Sequence, residues 1–191
     1  DARIVAAEEA LLPLGRVLAG EIEAATGLDL AVVEGGVRPG DIHLAYDKRL
    51  RGEAYTMDVD QTMRVRGGNY NAVATGTVTL LQLLAADRQV SRMNIKDTPA
   101  VPFRGLLLDV ARKYHTIDSI KQIVDLCRLY KIRYLQLHLT DDQSFMFPTK
   151  AYPKLTTVNH HGGETYTLEE LKDLVAYADA RGVTIIPEYE V

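Results

Sequence analysis

Cysteine occurs once in these 191 residues, at Cys127, so an internal disulfide is excluded and the redox compartment stays open. That thiol follows Ile123 and Val124 at helical spacing, which marks it as a core position rather than a reactive one. There is no Cys/His cluster and no HExxH pattern, so neither a metal site nor a cofactor is expected. Basic clusters are missing and the formal net charge is −4, which argues against nucleic acid and anionic membranes as partners. No apolar run is long enough to span a bilayer. What remains is ordinary for a soluble globular chain, at 47% hydrophobic and 25% charged residues. The length allows one generous domain or two small ones.

Two regions differ in pattern. Residues 1–98 read as a small α+β unit. "RIVA" forms a strand, and 8–26 a helix with Leu11, Leu14, Leu18 and Ile22 on one face, closed by Gly27. "LDLAVVE", "DIHLAY", "AYTMDVD" and "TMRVRGG" follow as short strands, and "LLQLL" at 80–84 suggests a second helix. This predicts a sheet with helices on one face. The proline-bearing "KDTPAVPF" places a boundary near 99–103.

Residues 99–191 alternate strand and helix. "RGLLLDVA" is an apolar run of the kind expected for a strand covered on both faces. Residues 118–131 form an amphipathic helix with Ile120, Ile123, Val124, Cys127 and Tyr130 on one face, and "YLQLHL" is the next strand. Residues 168–180 form another helix, with Thr167 and Glu170 as a capping box and Gly182 as its stop. "TIIPEYE" closes the series. The α/β pattern fits either a doubly wound parallel sheet or the start of a (β/α)8 barrel.

Both architectures place function at the C-terminal ends of the strands. Asp109 and Arg112 follow the first strand, His138, Asp141 and Asp142 the second, and Glu188 and Glu190 the third. Any one acid there could simply cap a loop. Three acid-bearing strand ends around an arginine suit a polyhydroxylated ligand, because carboxylates accept hydroxyl protons and a guanidinium donates in a fork.

These residues resemble a known family. "RGLLLDVARKYH", "HLTDDQSF" and "PEYEV" look like the first three strand ends of the catalytic barrel in family 20 glycoside hydrolases, the β-N-acetylhexosaminidases. "AYTMDV", "TMRVRG" and "GTVTLLQLL" are similar to that family's accessory α+β domain. The resemblance implies an accessory domain at 1–98 and an incomplete (β/α)8 TIM barrel at 99–191. It implies that Arg112 and Asp141 bind the terminal N-acetyl sugar, with Asp109, His138, Glu188 and Glu190 supporting them. The implied partners are N-acetylhexosamine-containing glycans and the remainder of the barrel, and a secreted or periplasmic setting is favoured. Lys113 and Gln136 depart from the family pattern, where histidine is common at both places.

In that family the substrate's own acetamido oxygen attacks C1, an exception to the two-carboxylate scheme. The residues that orient it and supply the general acid lie in a "GGDE" motif. No such motif occurs here, and neither does tryptophan, which usually walls the family's sugar pocket. The expectation is therefore an N-terminal piece of a longer enzyme, inactive alone, with its Asp-Glu pair beyond Val191. The alternatives are a non-catalytic carbohydrate-binding or assembly module, and another sugar hydrolase sharing the accessory domain. His160 and His161 read as a loop near the pocket rim, His43 as structural, and Phe145 and Phe147 as core or barrel-mouth residues.

Overall fold

Alternating apolar and polar residues lay down the strands of the first hundred residues. The computed structural model describes residues 2–86, 90–157 and 162–190 and divides into two units, Asp1–Pro102 and Phe103–Val191. His160 and His161 lie outside the described residues. In the first unit the order is β1 (Arg3–Ala6), α1 (Leu12–Thr26), β2 (Ala31–Glu34), β3 (Ile42–Tyr46), β4 (Tyr55–Val59), β5 (Met63–Gly67), α2 (Tyr70–Ala86) and β6 (Met93–Asp97). These strands form one sheet in the order β2-β1-β3-β5-β4-β6. The first four are parallel, and β4 runs antiparallel to both neighbours.

One face of this sheet presents Ile4, Leu44, Met57 and Val65 to Leu14, Leu18 and Ile22 of α1 and to Val73, Leu80 and Leu84 of α2. Each such burial is worth about 1.5–3 kcal/mol against the entropy of ordering the chain. Gly76 permits the close approach of α2, since a Cβ there would meet Val65 Cγ1 at 2.6 Å.

Three details differ from the sequence reading. The helix expected at 8–26 begins as a 3-10 turn at Glu9–Leu11 and becomes α-helical only at Leu12, with Pro13 in its first turn. Proline is suited to that position because its missing N–H would be unpaired there. The second helix starts at Tyr70, ten residues before the "LLQLL" run. Its first half is buried at Ala72, Val73, Ala74, Gly76, Thr77 and Val78, and Asn71, Thr75 and Thr79 stand half-buried at four-residue spacing, a stripe too mild to stand out among small and threonine residues. Strand β6 was not expected. Only Met93 and Ile95 of "MNIKD" pack against the core, and three polar residues hide the alternation.

The second unit runs β7 (Gly105–Asp109), α3 (Ile117–Leu129), β8 (Tyr134–His138), a small ribbon of β9 (Thr140–Asp141) and β10 (Ser144–Phe145), α4 (Leu168–Ala180) and β11 (Thr184–Glu188). Strands β7, β8 and β11 are parallel in the order β11-β8-β7. Leu135 and Leu137 of β8 pack with Ile120, Val124 and Cys127 of α3 and with Leu171, Leu174 and Ala178 of α4. Both helices open on a threonine cap. Thr116 accepts from Ser119 N at 3.2 Å, and Thr167 and Glu170 form a reciprocal capping box.

Both helices also end alike. Ile132 N donates to Cys127 O and Lys131 N to Arg128 O, while Val183 N donates to Ala178 O and Gly182 N to Asp179 O. This is the Schellman arrangement, and its left-handed position is filled once by Lys131 (φ 57) and once by Gly182 (φ 73).

Two expectations for this unit are corrected. Tyr130 does not join the buried face of α3 but is 72% exposed, because the helix stops at Leu129 and the chain turns left-handed at Lys131, two residues later. Arg128 is buried in its place. Strand β7 is not covered on both faces: Leu107 is 53% exposed. Leu107 points away from the helices, on the face shared with Gln136 and His138, whereas Leu108 lies on the helix side.

Candidate active site

Strand register brings the chemistry together. Asp109, His138 and Glu188 are direct neighbours across β7, β8 and β11, so they form one row at the C-terminal edge. Their alternation with Leu108, Leu137 and Pro187 turns them to the face opposite the helices.

Asp109 shapes the loop that follows it. One carboxylate oxygen accepts from Ala111 N at 3.1 Å and Arg112 N at 2.9 Å, and the other accepts from Arg112 Nη1 at 2.7 Å. Burial pushes the Asp109 carboxyl up, but the Arg112 backbone and guanidinium more than offset this and hold it low. The second guanidinium nitrogen of Arg112 pairs with Asp141 Oδ2. The arginine side chain is nevertheless 59% exposed, so its remaining N–H groups face outward.

Asp141 sits where Arg112 and β8 meet, with only 8% of its side chain exposed. Its Oδ2 lies 2.9 Å from His138 Nε2, and its Oδ1 accepts from Asp142 N at 2.7 Å. The His138 contact is the main cause holding Asp141 below the usual carboxylate range. The other ring nitrogen of His138 lies 3.3 Å from Glu188 Oε2, which also accepts from Gln136 Nε2 at 2.7 Å. Carboxylates on both sides favour the doubly protonated ring, since an imidazolium donates from both nitrogens. The Asp141 hydrogen bond is the largest cause of the raised His138 pKa, acting against burial. Glu188 is held low, mainly by Gln136.

Five of the six anticipated residues thus form one continuous chain: Asp109, Arg112, Asp141, His138 and Glu188. Glu190 stands apart. Its backbone N donates to Thr140 Oγ1 at 2.7 Å, while its carboxylate is exposed and has no partner among the described residues. His138, Glu188 and Glu190 place potential ligand atoms within 4.8 Å of one another. Both nitrogens of His138 already face carboxylates, so a metal there would have to displace a hydrogen bond. Asp142, like any strand-end acid, could cap a loop or pair with a cation. Its side chain does neither among the described residues, and its contribution is the backbone N–H given to Asp141.

Gln136 and Thr140 were not anticipated as working residues. Gln136 drew notice only as a departure from a family pattern, and Thr140 lay inside the quoted "HLTDDQSF" without a role. Phe147 meets the Tyr189 ring edge-on at 5.3 Å, which brings the ribbon loop against the segment after β11.

Comparison with known proteins identifies the family. Residues 1–98 match "Glycosyl hydrolase family 20, domain 2" and residues 101–191 match "Glycosyl hydrolase family 20, catalytic domain". The chain belongs to glycosyl hydrolase family 20. A beta-hexosaminidase of Porphyromonas gingivalis is 34% identical over 98% of this chain, which spans 27% of that relative. A beta-N-acetylhexosaminidase of Cellulomonas fimi is 32% identical over 86% of the chain, which spans 36% of its length. Among solved structures, the family 20 β-N-acetylhexosaminidase of Streptomyces coelicolor A3(2) superposes with a TM-score of 0.84 at 27% identity, covering 100% of this chain and 42% of that one. The exo β-N-acetylglucosaminidase of Vibrio harveyi, solved with N-acetylglucosamine, gives 0.83 at 26% identity, covering 100% and 33%. The fold class is therefore an α+β domain followed by the opening strands of a (β/α)8 barrel, as the resemblance implied.

Proposed function

We propose that this chain supplies the accessory domain, residues 1–98, and the sugar-gripping edge, residues 99–191, of a β-N-acetylhexosaminidase acting on terminal β-linked N-acetylglucosamine or N-acetylgalactosamine. The observation that carries this reading is the state of Arg112. Two acids fix its guanidinium, yet more than half of the side chain is exposed, so its free N–H groups are preorganised for sugar hydroxyls. Asp141, beside it, orients Arg112 and can accept a hydroxyl proton. Asp109, His138 and Glu188 hold those two in place, and Glu190 offers a second carboxylate acceptor.

Bond cleavage in this scheme comes from the substrate's acetamido oxygen and a general acid of the "GGDE" type, which these 191 residues do not contain. The chain by itself should bind without turnover. The test pairs hydrolysis of an aryl N-acetyl-β-glucosaminide with the mass of the active species. In a protein that contains this chain and turns over, Arg112→Ala should lower kcat/KM about 10- to 100-fold, the loss of one charge-assisted hydrogen bond. Arg112→Lys should recover little, because a point charge cannot reproduce the fork. Turnover by a species of 21.2 kDa would overturn the scheme, since the acid would then be one of the carboxylates described above.

A further inference from the structure

The face of the first sheet opposite α1 and α2 holds a second polar cleft, of about 350 Å³, lined by residues of β4, β5, β6 and the loop after β3. That volume lies at the small end of ligand sites and suits one sugar ring. Strand register builds its floor: Thr56 of β4 lies directly between Arg66 of β5 and Lys96 of β6, and Asp58 lies beside Asn94.

The charges in the cleft are unequally matched. Arg49 and Asp47 pair through two contacts, at 2.7 and 2.9 Å, and Arg66 pairs with Asp58 at 2.8 Å. Asn94 donates to the other Asp58 oxygen. Lys96 has no acidic partner among the described residues, which leaves one positive charge in surplus. Between the two cations, Thr56 Oγ1 is buried and has no hydrogen-bond partner. A buried hydroxyl without a partner is a cost that valine would avoid while filling the same space.

We propose that this cleft binds an acidic sugar, a hexuronate unit of a glycan, with the carboxylate between Lys96 and Arg66 accepting the Thr56 hydroxyl proton and the ring hydroxyls on Asp58 and Asn94. A cation pair flanking an unused donor matches a carboxylate, and an acid–amide pair beside it matches the hydroxyls. The assignment is independent of the proposed hydrolase activity, because no residue of the second unit takes part.

Titrating the full chain with methyl β-glucuronide, followed by amide NMR shifts, tests it. Saturable shifts should centre on Thr56, Arg66 and Lys96. Lys96→Gln should weaken binding about tenfold, the loss of one charge-assisted hydrogen bond, and Thr56→Val should weaken it with the rest of the spectrum unchanged. Neutral methyl β-glucoside and inorganic sulfate should compete poorly. Absence of saturable shifts, or full affinity in Lys96→Gln, would overturn the proposal. Sulfate competing as well as the glucuronide would also overturn it, by showing a plain anion site. Lys96 is exposed, so Lys96→Gln remains decisive even if Thr56→Val fails to fold.

Discussion

Leu137 and Leu107 sit on adjacent strands but opposite faces, and replacing each with alanine tests which face is the core. Leu137 is 1% exposed among the α3 and α4 side chains, whereas Leu107 is 53% exposed on the face of His138. Leu137→Ala deletes three carbons, about 2.4 kcal/mol of transfer free energy at roughly 0.8 per carbon. Incomplete collapse of the cavity adds about 24 cal/mol per Å³, so a total of about 3–4 kcal/mol is expected. Leu107 buries about half its surface, so its truncation should cost about 1 kcal/mol. Native-state hydrogen exchange at the β8 amides reads the second unit separately from the first. Equal losses for the two variants would refute the reasoning. The face carrying Gln136 and His138 would then be closed in this chain, and Arg112 could not meet a sugar there.

Histidine titration by NMR should separate two rings that share the ordinary histidine value of about 6.5 when unperturbed. His138 should titrate above it because of Asp141, and His43 below it because of burial beside Arg64 and Arg66. The His138 contribution to stability is fully present below its unfolded pKa and lost as pH rises through its folded one, so His138→Gln should flatten that limb. Asp41, nearly fully buried against Arg3 at 2.6 Å, is held at about 2 by that hydrogen bond. Its contribution is present above the unfolded value near 4 and lost as pH falls toward 2, and acid unfolding of Asp41→Asn should lack that slope. Lys131→Gly should raise stability by about 0.5–1 kcal/mol in urea unfolding, since it relieves a left-handed lysine, while Gly182→Ala should lower it by about 1 kcal/mol.

The two 13-residue helices of the second unit were legible in the sequence because each carries an apolar stripe between a threonine cap and a turn. The strand-end acids were legible because parallel strands put polar residues at one edge. Their wiring was not. Nothing in the spacing of Asp109 and Arg112 says that one acid would take both the backbone and the guanidinium of the other. Pairing of Gln136 with Glu188 depends on a register that joins residues 52 apart. The misplaced features share a cause, since Tyr130 and β6 both lie where local pattern competes with a chain reversal or an edge. Early α2 escaped notice because its small, threonine-rich residues show only the weak stripe of Asn71, Thr75 and Thr79.

Charge balance then limits what the strand-end site can hold. Asp109, Asp141, Glu188 and Glu190 set four carboxylates against two cations, Arg112 and His138. Three of those acids are matched by fixed donors, so they remain ionised rather than sharing protons. The surplus is two negative charges, and one of them is the exposed Glu190. An anionic sugar would therefore meet repulsion on approaching Arg112, while a neutral ring gains hydroxyl contacts to both signs of charge. This balance disfavours an acidic sugar and is compatible with the neutral N-acetylhexosamine proposed above. The cleft over Thr56 has the opposite surplus. The two sites should accordingly discriminate neutral from acidic sugars by sign of charge before any fine fit is felt.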